Sequence, residues 1–428
     1  MMQEIYYPQL EERLFRGKLP NGLPILVLPK PGFSRRIAYF VTDFGSIHTD
    51  FFLDGQEHHV PAGVAHYLEH KLFEMPDRDI SEDFAALGGN PNAFTSYDMT
   101  AYYFSCTENF SDNLRLLLRF VSTPCFTEES VKNEQGIIGQ EIAMCDDESG
   151  TQLFEELVRC LYRQHPVAVP ILGTQKSIRR ITPQVLELCH RAFYTPKNML
   201  LCVVGDVDPQ EVYSIALDCL PAEAPMPAVK LTPQEPDLLR VRPGCQKQME
   251  VSMPTFQLGA KCPPIPKGEA GIRQEIIGDL AAEALFGESS GLYLRLYDEG
   301  LIDSSFGGGM ETLDGAAMLL CGGDSEDPQT AADAIQAELQ RIAREGIDED
   351  GFQRSKKSAL GRRIRDLDSF ESTCFRLCAF HFTDYDYLNF PEVYASITRQ
   401  EVESFLQAMA KNASWALSVI YPTSKEDS

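Results

Sequence analysis

Val60-Pro61-Ala62-Gly63-Val64-Ala65-His66-Tyr67-Leu68-Glu69-His70-Lys71-Leu72-Phe73-Glu74 is the stretch on which the reading of the whole chain turns. It reads as a helix around Pro61–Glu74. On a helix His66 and His70 lie four residues apart, on one face and about one turn from each other, which is the spacing a single tetrahedral zinc accepts. Glu69 is three residues from His66 and lies beside that face. There it is placed to take a proton from a metal-activated water without being a ligand itself. With 8 His in 428 residues, about 0.01 such five-residue patterns are expected by chance. The competing reading is two surface histidines on an amphipathic helix with a solvated acid between them.

Zinc in a hydrolytic site needs a third protein ligand and one position left open. Glu134 and Glu141 are the candidates, in Glu134-Gln135-Gly136-Ile137-Ile138-Gly139-Gln140-Glu141-Ile142, on a helix that Thr127 starts. Seven residues is close to two turns, so both carboxylates share a face, while Ile137, Ile138 and Ile142 pack inward or sideways. One carboxylate can ligate while the other orients it or a histidine. An acidic pair on a helix is also what a plain solvated face looks like. His58 and His59 are rival ligands, but adjacent residues point apart on any regular element.

Outward from these segments, 428 residues exceed what one hydrophobic core usually supports and point to two or three domains. Sixty-three acidic against 38 basic residues leave a formal charge of −25, which argues against a nucleic-acid partner that tracks phosphates. No apolar run approaches the roughly 18 residues of a membrane span, and Met1-Met2-Gln3-Glu4-Ile5 opens no signal peptide, so neither a membrane nor export is expected and the location reads as cytoplasmic. The twelve cysteines are scattered without a C-x-x-C pair, several in apolar runs as Cys202 and Cys378 are, and read as reduced core residues.

Six prolines, at 221, 225, 227, 233, 236 and 243, make residues 221–243 a stiff linker between a domain 1–220 that carries the histidines and a domain 244–428. The two halves look related. Ile181-Thr182-Pro183-Gln184 opens a helix before the strand Leu201-Cys202-Val203-Val204, and Ile397-Thr398-Arg399-Gln400 opens one before Leu417-Ser418-Val419-Ile420. In the first half, strands are expected at Ile25–Leu28, Arg36–Phe44, around Asn92–Cys106, and at Met199–Val207. Helices are expected near Asp112–Ser122, Glu128–Cys145, Gln152–Tyr162 and Pro183–Phe193. Helices mixed with hairpin-joined strands favour α+β layers over a doubly wound parallel sheet.

Further segments agree in order with one known pattern: Leu19-Pro20-Asn21-Gly22-Leu23, Gly45-Ser46, Gly88-Gly89-Asn90-Pro91-Asn92-Ala93-Phe94-Thr95-Ser96 with Thr100 and Tyr102, and Phe193-Tyr194-Thr195-Pro196-Lys197-Asn198-Met199 leading to Gly205-Asp206. Together with the histidine motif and the acidic pair they resemble the inverzincin zinc peptidases, the family of insulinase, pitrilysin and mitochondrial processing peptidase. His-Lys-Leu-Phe-Glu at 70–74 and the run around Glu134 are closest to its half-length bacterial, YfmH-like branch. The resemblance implies an α+β chain of two related α/β-sandwich domains, a duplicated peptidase fold, joined by the Pro-rich linker. It implies Zn2+ held by His66, His70 and Glu141, Glu69 as catalytic base, and Glu134 as the supporting glutamate. It makes Asn92, Ala93, Phe94 and Thr95 the sheet-edge strand that takes a peptide or unfolded polypeptide as an added strand. The plainer reading of that segment is a hairpin turning at Gly88-Gly89.

The chain also departs from the pattern. Leu296 and Asp303, in Leu294-Arg295-Leu296-Tyr297-Asp298-Glu299-Gly300-Leu301-Ile302-Asp303, stand where the family has an arginine and a tyrosine that grip the substrate. No histidine lies between His190 and His381, so the second half holds no copy of the motif. The resemblance therefore implies a homologous partner subunit that supplies the missing pair, as a heterodimer, with a homodimer as the alternative. Its other branches leave two alternatives: a structural subunit of a processing complex without hydrolytic activity, or a factor linked to modification of elongation factor P.

Overall fold

The computed structural model describes residues 2–74 and 80–423. They form two compact units, the first from residues up to Ile142, Pro170–Thr232 and Ile364–Asn389, the second from Ala143–Val169, Pro233–Arg363 and Phe390 onward. The strands of the first are β1 (Gln3–Tyr7), β2 (Glu12–Lys18), β3 (Pro24–Pro29), β4 (Arg36–Thr42), β5 (Asp50–Leu53), β6 (Gln56–His59), β7 (Gly89–Thr95), β8 (Thr100–Cys106), β9 (Met199–Gly205) and β10 (Val229–Lys230). Seven of them pair in the order β1-β2-β3-β9-β4-β8-β7, and β10, β5 and β6 make a small separate sheet. Only the β3 and β9 pair of the large sheet is parallel.

Alternation along the strands gives each face of this sheet its own cover. Ala38, Phe40, Tyr102, Phe104, Leu201 and Val203 pack into one core with Val64, Ala65, Tyr67 and Leu68. The opposite face, with Tyr39 and Cys202, lies under the helix Phe370–Phe382. β9 is consequently buried at every residue, as a strand covered on both sides must be.

In the second unit β11 (Gly244–Met249), β12 (Thr255–Cys262), β13 (Gly307–Leu313), β14 (Ala316–Asp324) and β15 (Ala416–Pro422) pair in the order β11-β15-β12-β14-β13, with only β11 and β15 parallel. That is the order and polarity of β3-β9-β4-β8-β7. The related segments sit at matching places: Leu201 to Val204 on β9 and Leu417 to Ile420 on β15, each preceded by a helix, Pro183–Phe193 or Arg399–Asn412. The expected α+β pair of related domains is the observed architecture.

Several local expectations differ from the structure. The strand expected around Asn92–Cys106 is a hairpin, β7 and β8, turning where Ser96 N donates to Met99 O at 2.8 Å. Gly88 and Gly89 are not its turn; they join the helix Ile80–Ala86 to β7, with Gly88 at φ +73. The units also differ from the contiguous segments 1–220 and 244–428. The helix Ser149–Leu161 buries Leu153, Leu157 and Val158 and packs on β12 and β15 of the second unit, while Phe370–Phe382 packs on β4 and β9 of the first. Within 221–243 the regular structure is the two-residue β10. Glu235 of that stretch accepts from the backbone N–H groups of Arg163, Gln164 and His165. All twelve cysteines are free, eight of them buried. Among the described residues no helix is long and apolar enough to cross a membrane.

Candidate metal centre

The motif helix spans Val64–Phe73. Gly63 precedes it at φ +89, and a Cβ there would lie 2.4 Å from the carbonyl oxygen of Leu172, so only glycine makes this entry. Val64, Ala65, Tyr67, Leu68 and Leu72 fill the core, which leaves His66 and His70 on one face with ring centroids 4.6 Å apart. The facing helix, Glu128–Asp147, starts as expected, with Ser130 N donating to Thr127 Oγ1 at 3.1 Å. It buries Val131, Ile138 and Ile142 and leaves Ile137 exposed. Tyr67 ties the two helices by donating its hydroxyl to the Val131 carbonyl.

Glu134 and Glu141 both project toward the histidines, and they do different things. His70 Nδ1 is 3.0 Å from Glu134 Oε1. Donating that proton leaves the Nε2 lone pair of His70 free, the usual way a carboxylate fixes the tautomer of a metal-binding imidazole. His70 Nε2 lies 3.6 Å from Glu141 Oε2, and His66 Nε2 lies 3.6 Å from Glu141 Oε1. Those separations are long for hydrogen bonds but close to the roughly 3.3 Å between ligand atoms about 2 Å from one tetrahedral ion. The three donor atoms all lie within 4.8 Å of one another. Glu141 Oε2 is moreover buried without a hydrogen-bond partner, a costly arrangement for a carboxylate oxygen unless a cation faces it. The residues fit a divalent metal. His58 stacks on Phe51 and His59 pairs with Asp50, both away from this group.

Charge and burial compete across the cluster. The facing His66 imidazole first, with His70 helping and burial opposing, holds the Glu141 carboxyl below the ordinary value. Burial pulls the His70 imidazole down, but the hydrogen bond and charge of Glu134, with Glu69 and Glu141, outweigh it and leave it raised. Glu69 is raised chiefly by burial, against the hydrogen bond from Thr95 and the two imidazoles.

The four residues expected to bind substrate all lie on β7, which ends the sheet, but they divide between its faces. Ala93 packs toward the core of the motif helix, and Thr95 Oγ1 donates to Glu69 Oε2 at 2.6 Å. Phe94 faces the other way, among Tyr39, Tyr103 and Phe375 with centroids 5.8 to 6.4 Å away. Asn92 is also turned from the metal cluster: Ala93 N donates to its Oδ1 at 2.8 Å, and its side chain pairs with Tyr103. The grip of Thr95 on Glu69 and the tie from Tyr67 went unseen in the sequence. The only signal for the first was the even spacing from Ala93 to Thr95, which puts both on one face once the strand is known.

In the second unit Leu296 is 1% exposed and turned into the core. Arg295 Nη1 is 3.9 Å from Glu338, Tyr297 stacks on Tyr293, and Asp303 accepts from Ser305 N at 2.8 Å.

Two family profiles match the chain: one described as Insulinase (Peptidase family M16) over residues 55–175, which contain the metal cluster, and one described as Peptidase M16 inactive domain over 180–359. The chain is 37% identical over 412 residues to a Bacillus subtilis relative named uncharacterized zinc protease YmfH, covering 95% of this chain and 96% of that one. The solved structure of an M16-like peptidase from Alicyclobacillus acidocaldarius superposes with a TM-score of 0.91 at 32% identity, covering 96% of this chain and 99% of that one. For the fold alone, the periplasmic protease PqqL of Escherichia coli matches with a TM-score of 0.72 at 21% identity, over 97% of this chain but 48% of that one.

Proposed function

The chain belongs to the insulinase (peptidase M16) family, and we propose that it is a zinc metalloendopeptidase, the metal-bearing member of a paired assembly working in the cytoplasm. The observation that carries this reading is the meeting of His66, His70 and Glu141 within 4.8 Å beside a half-buried Glu69. His66 Nε2, His70 Nε2 and Glu141 would hold the ion, and Glu134 would keep His70 in the ligating tautomer. Zinc held there supplies Lewis acidity, lowering the pKa of water toward about 7 and polarising a carbonyl oxygen. Glu69 accepts the proton of the attacking water and returns it to the leaving amine, the part of the reaction that needs a carboxyl raised toward neutral pH. Thr95 holds that carboxylate in line at 2.6 Å. The outer edge of β7 offers main-chain groups to an extended peptide, so affinity would come from the backbone and sequence preference would be loose. Leu296 and Asp303 cannot do what an arginine and a tyrosine do, which is why a partner is part of the proposal.

Metal content by elemental analysis together with peptide turnover, for the wild type and Glu69→Gln, with and without a homologue that carries the Arg and Tyr, tests it. Expected are about one zinc per chain in both forms, and a loss of turnover of about 10²- to 10⁴-fold in Glu69→Gln. Equal turnover removes Glu69 from the mechanism. Zinc without turnover under any pairing favours the structural subunit instead.

A further inference from the structure

The sheet face turned away from the metal cluster carries a row of aromatic side chains that runs to the edge of the first unit. Tyr39 of β4 stacks on Tyr103 of β8 with ring centroids 4.4 Å apart. Phe94 of β7 stands 6.3 Å from Tyr103 and 5.8 Å from Phe375. Phe375 belongs to the helix Phe370–Phe382, which packs on β4 and β9. Exposure rises along the row: Tyr39 is 3% exposed, Tyr103 and Phe94 are half-buried, and Phe375 is 39% exposed. Among the described residues no strand follows β7 in this sheet. A single exposed ring needs no explanation, since much of any protein surface is apolar. Here the open end of an aromatic row coincides with an unpaired strand edge.

The pairing of β7 fixes what would meet that row. Ser96 N donates to Met99 O at the turn, which makes those two a hydrogen-bonded pair. In an antiparallel ladder such pairs alternate with pairs whose backbone groups point away from each other. Counting back through Thr95 with Thr100, Phe94 with Ala101 and Ala93 with Tyr102, the N–H and C=O groups of Thr95 and Ala93 face outward. The Ala93 N–H, bonded to the Asn92 side chain at 2.8 Å, agrees with that count, and Pro91, which has no N–H to give, falls on an outward position too. A peptide added antiparallel would hydrogen-bond at Ala93 and Thr95. Its residue opposite Phe94 then forms the closer kind of pair, with Cα atoms about 4.5 Å apart, and its side chain stands on the Phe94 face.

We propose that Phe94 and Phe375 form a subsite that selects a large apolar side chain, aromatic or branched aliphatic, at the peptide residue opposite Phe94. The inference rests on the reading of β7 as the strand that receives substrate, and it adds one selective position to a preference that backbone pairing leaves loose. The peptide residues on either side of the selected one point to the opposite face, where Thr95 meets Glu69. Selection therefore falls one place away from the residues that face the metal cluster.

The test titrates full-length Glu69→Gln with short fluorescein-labelled peptides that differ only in whether Phe or Ala stands at one scanned position, and reads Kd by fluorescence anisotropy. Expected is about tenfold tighter binding for Phe at a single position and little effect at its two neighbours, on the scale of burying part of one phenylalanine. Phe375→Ala should shrink that preference to about twofold and leave the affinity for the Ala peptide nearly unchanged. Phe375→Leu should keep most of it, because an apolar side chain remains. Equal affinity for Phe and Ala at every position, no measurable binding of either, or a preference that survives in both Phe375→Ala and Phe94→Ala overturns the proposal. Cleavage of the same peptides by the zinc-loaded chain, alone and with its homologue, separates the subsite from the enzymatic reading. Preference in binding without hydrolysis under any pairing leaves the subsite and sinks the peptidase; hydrolysis without the preference does the reverse.

Discussion

At the scale of single residues, the candidate chemistry rests on how Glu69 is held. Its carboxylate is raised by burial, and a carboxylate taken out of water needs donors in place of those it lost. Thr95 supplies one at 2.6 Å. A hydrogen bond to a charged acceptor contributes about 1.5 to 3 kcal/mol, so Thr95→Val should lower kcat by about 10- to 100-fold. Metal content and KM should change little, and Thr95→Ser should recover most of the loss because the hydroxyl returns. Steady-state kinetics on the zinc-loaded variants measures this, and a fall confined to KM would mean that Thr95 serves the substrate instead. The identities of His66, Glu69 and His70 were legible because a five-residue pattern on one helix fixes its own geometry. The role of Thr95 was not, because 26 residues separate it from Glu69 and only the position of β7 at the sheet edge brings them together. The direction of the Asn92 side chain was hidden for the same kind of reason: strand alternation turns it to the other face, where it accepts from the Ala93 N–H.

At the scale of elements, two helices meet through one tyrosine hydroxyl and two carboxylates. Glu134 and Glu141 share a face at nearly two turns, which the sequence showed, yet spacing alone left open which of them is the ligand. The structure separates them by distance: Glu134 reaches only the outer nitrogen of His70, at 3.0 Å, while Glu141 stands 3.6 Å from the inner nitrogens of both histidines. Glu141→Gln should therefore remove a ligand and cost the larger part of metal affinity. Glu134→Gln should cost the 10- to 100-fold typical of a group that orients a ligand. Competition against a zinc chelator of known affinity ranks the two. The reverse order, zinc lost from Glu134→Gln and kept by Glu141→Gln, would exchange their roles. Helices that bury a strong apolar stripe were readable almost to the residue, as Pro183–Phe193 was. The strands β1 and β2 went unread because Gln-Glu-Ile-Tyr-Tyr is largely exposed, Glu-Arg-Leu-Phe-Arg-Gly-Lys is mostly half-buried, and both carry little alternation. The helices Ser149–Leu161 and Phe370–Phe382 show a limit of another kind. Amphipathic spacing states which face of a helix is buried, but not against which of two similar sheets.

At the scale of the whole molecule, the duplication was legible in the paired Ile-Thr-x-Gln segments, and the structure turns it into a constraint on function. Among the described residues the candidate metal cluster lies in the first unit, and in the second the positions expected to grip substrate hold Leu296, in the core, and Asp303, engaged by Ser305. In fold alone the chain matches 48% of one longer chain, and the proposed pairing would supply the other half. Under the proposed pairing, an arginine and a tyrosine directed at the developing oxyanion come from a second chain. Removing one such donor from a preorganised site costs about 10² to 10³ in kcat, so the isolated chain should be at least about 100-fold slower than its complex with a homologue that has both. Titrating zinc-loaded chain with that homologue should raise turnover to a plateau at one partner per chain, with the complex eluting at the summed mass in size-exclusion chromatography. Mutating the homologue's arginine should lower the plateau without weakening assembly. The charge of −25 adds a second readout on the same complex: a basic peptide should lose kcat/KM as salt rises, since an acidic surface attracts it through a field that salt screens. Turnover that is already high in the isolated chain, and indifferent to every homologue, would place the missing donors within this chain and sink the paired assembly.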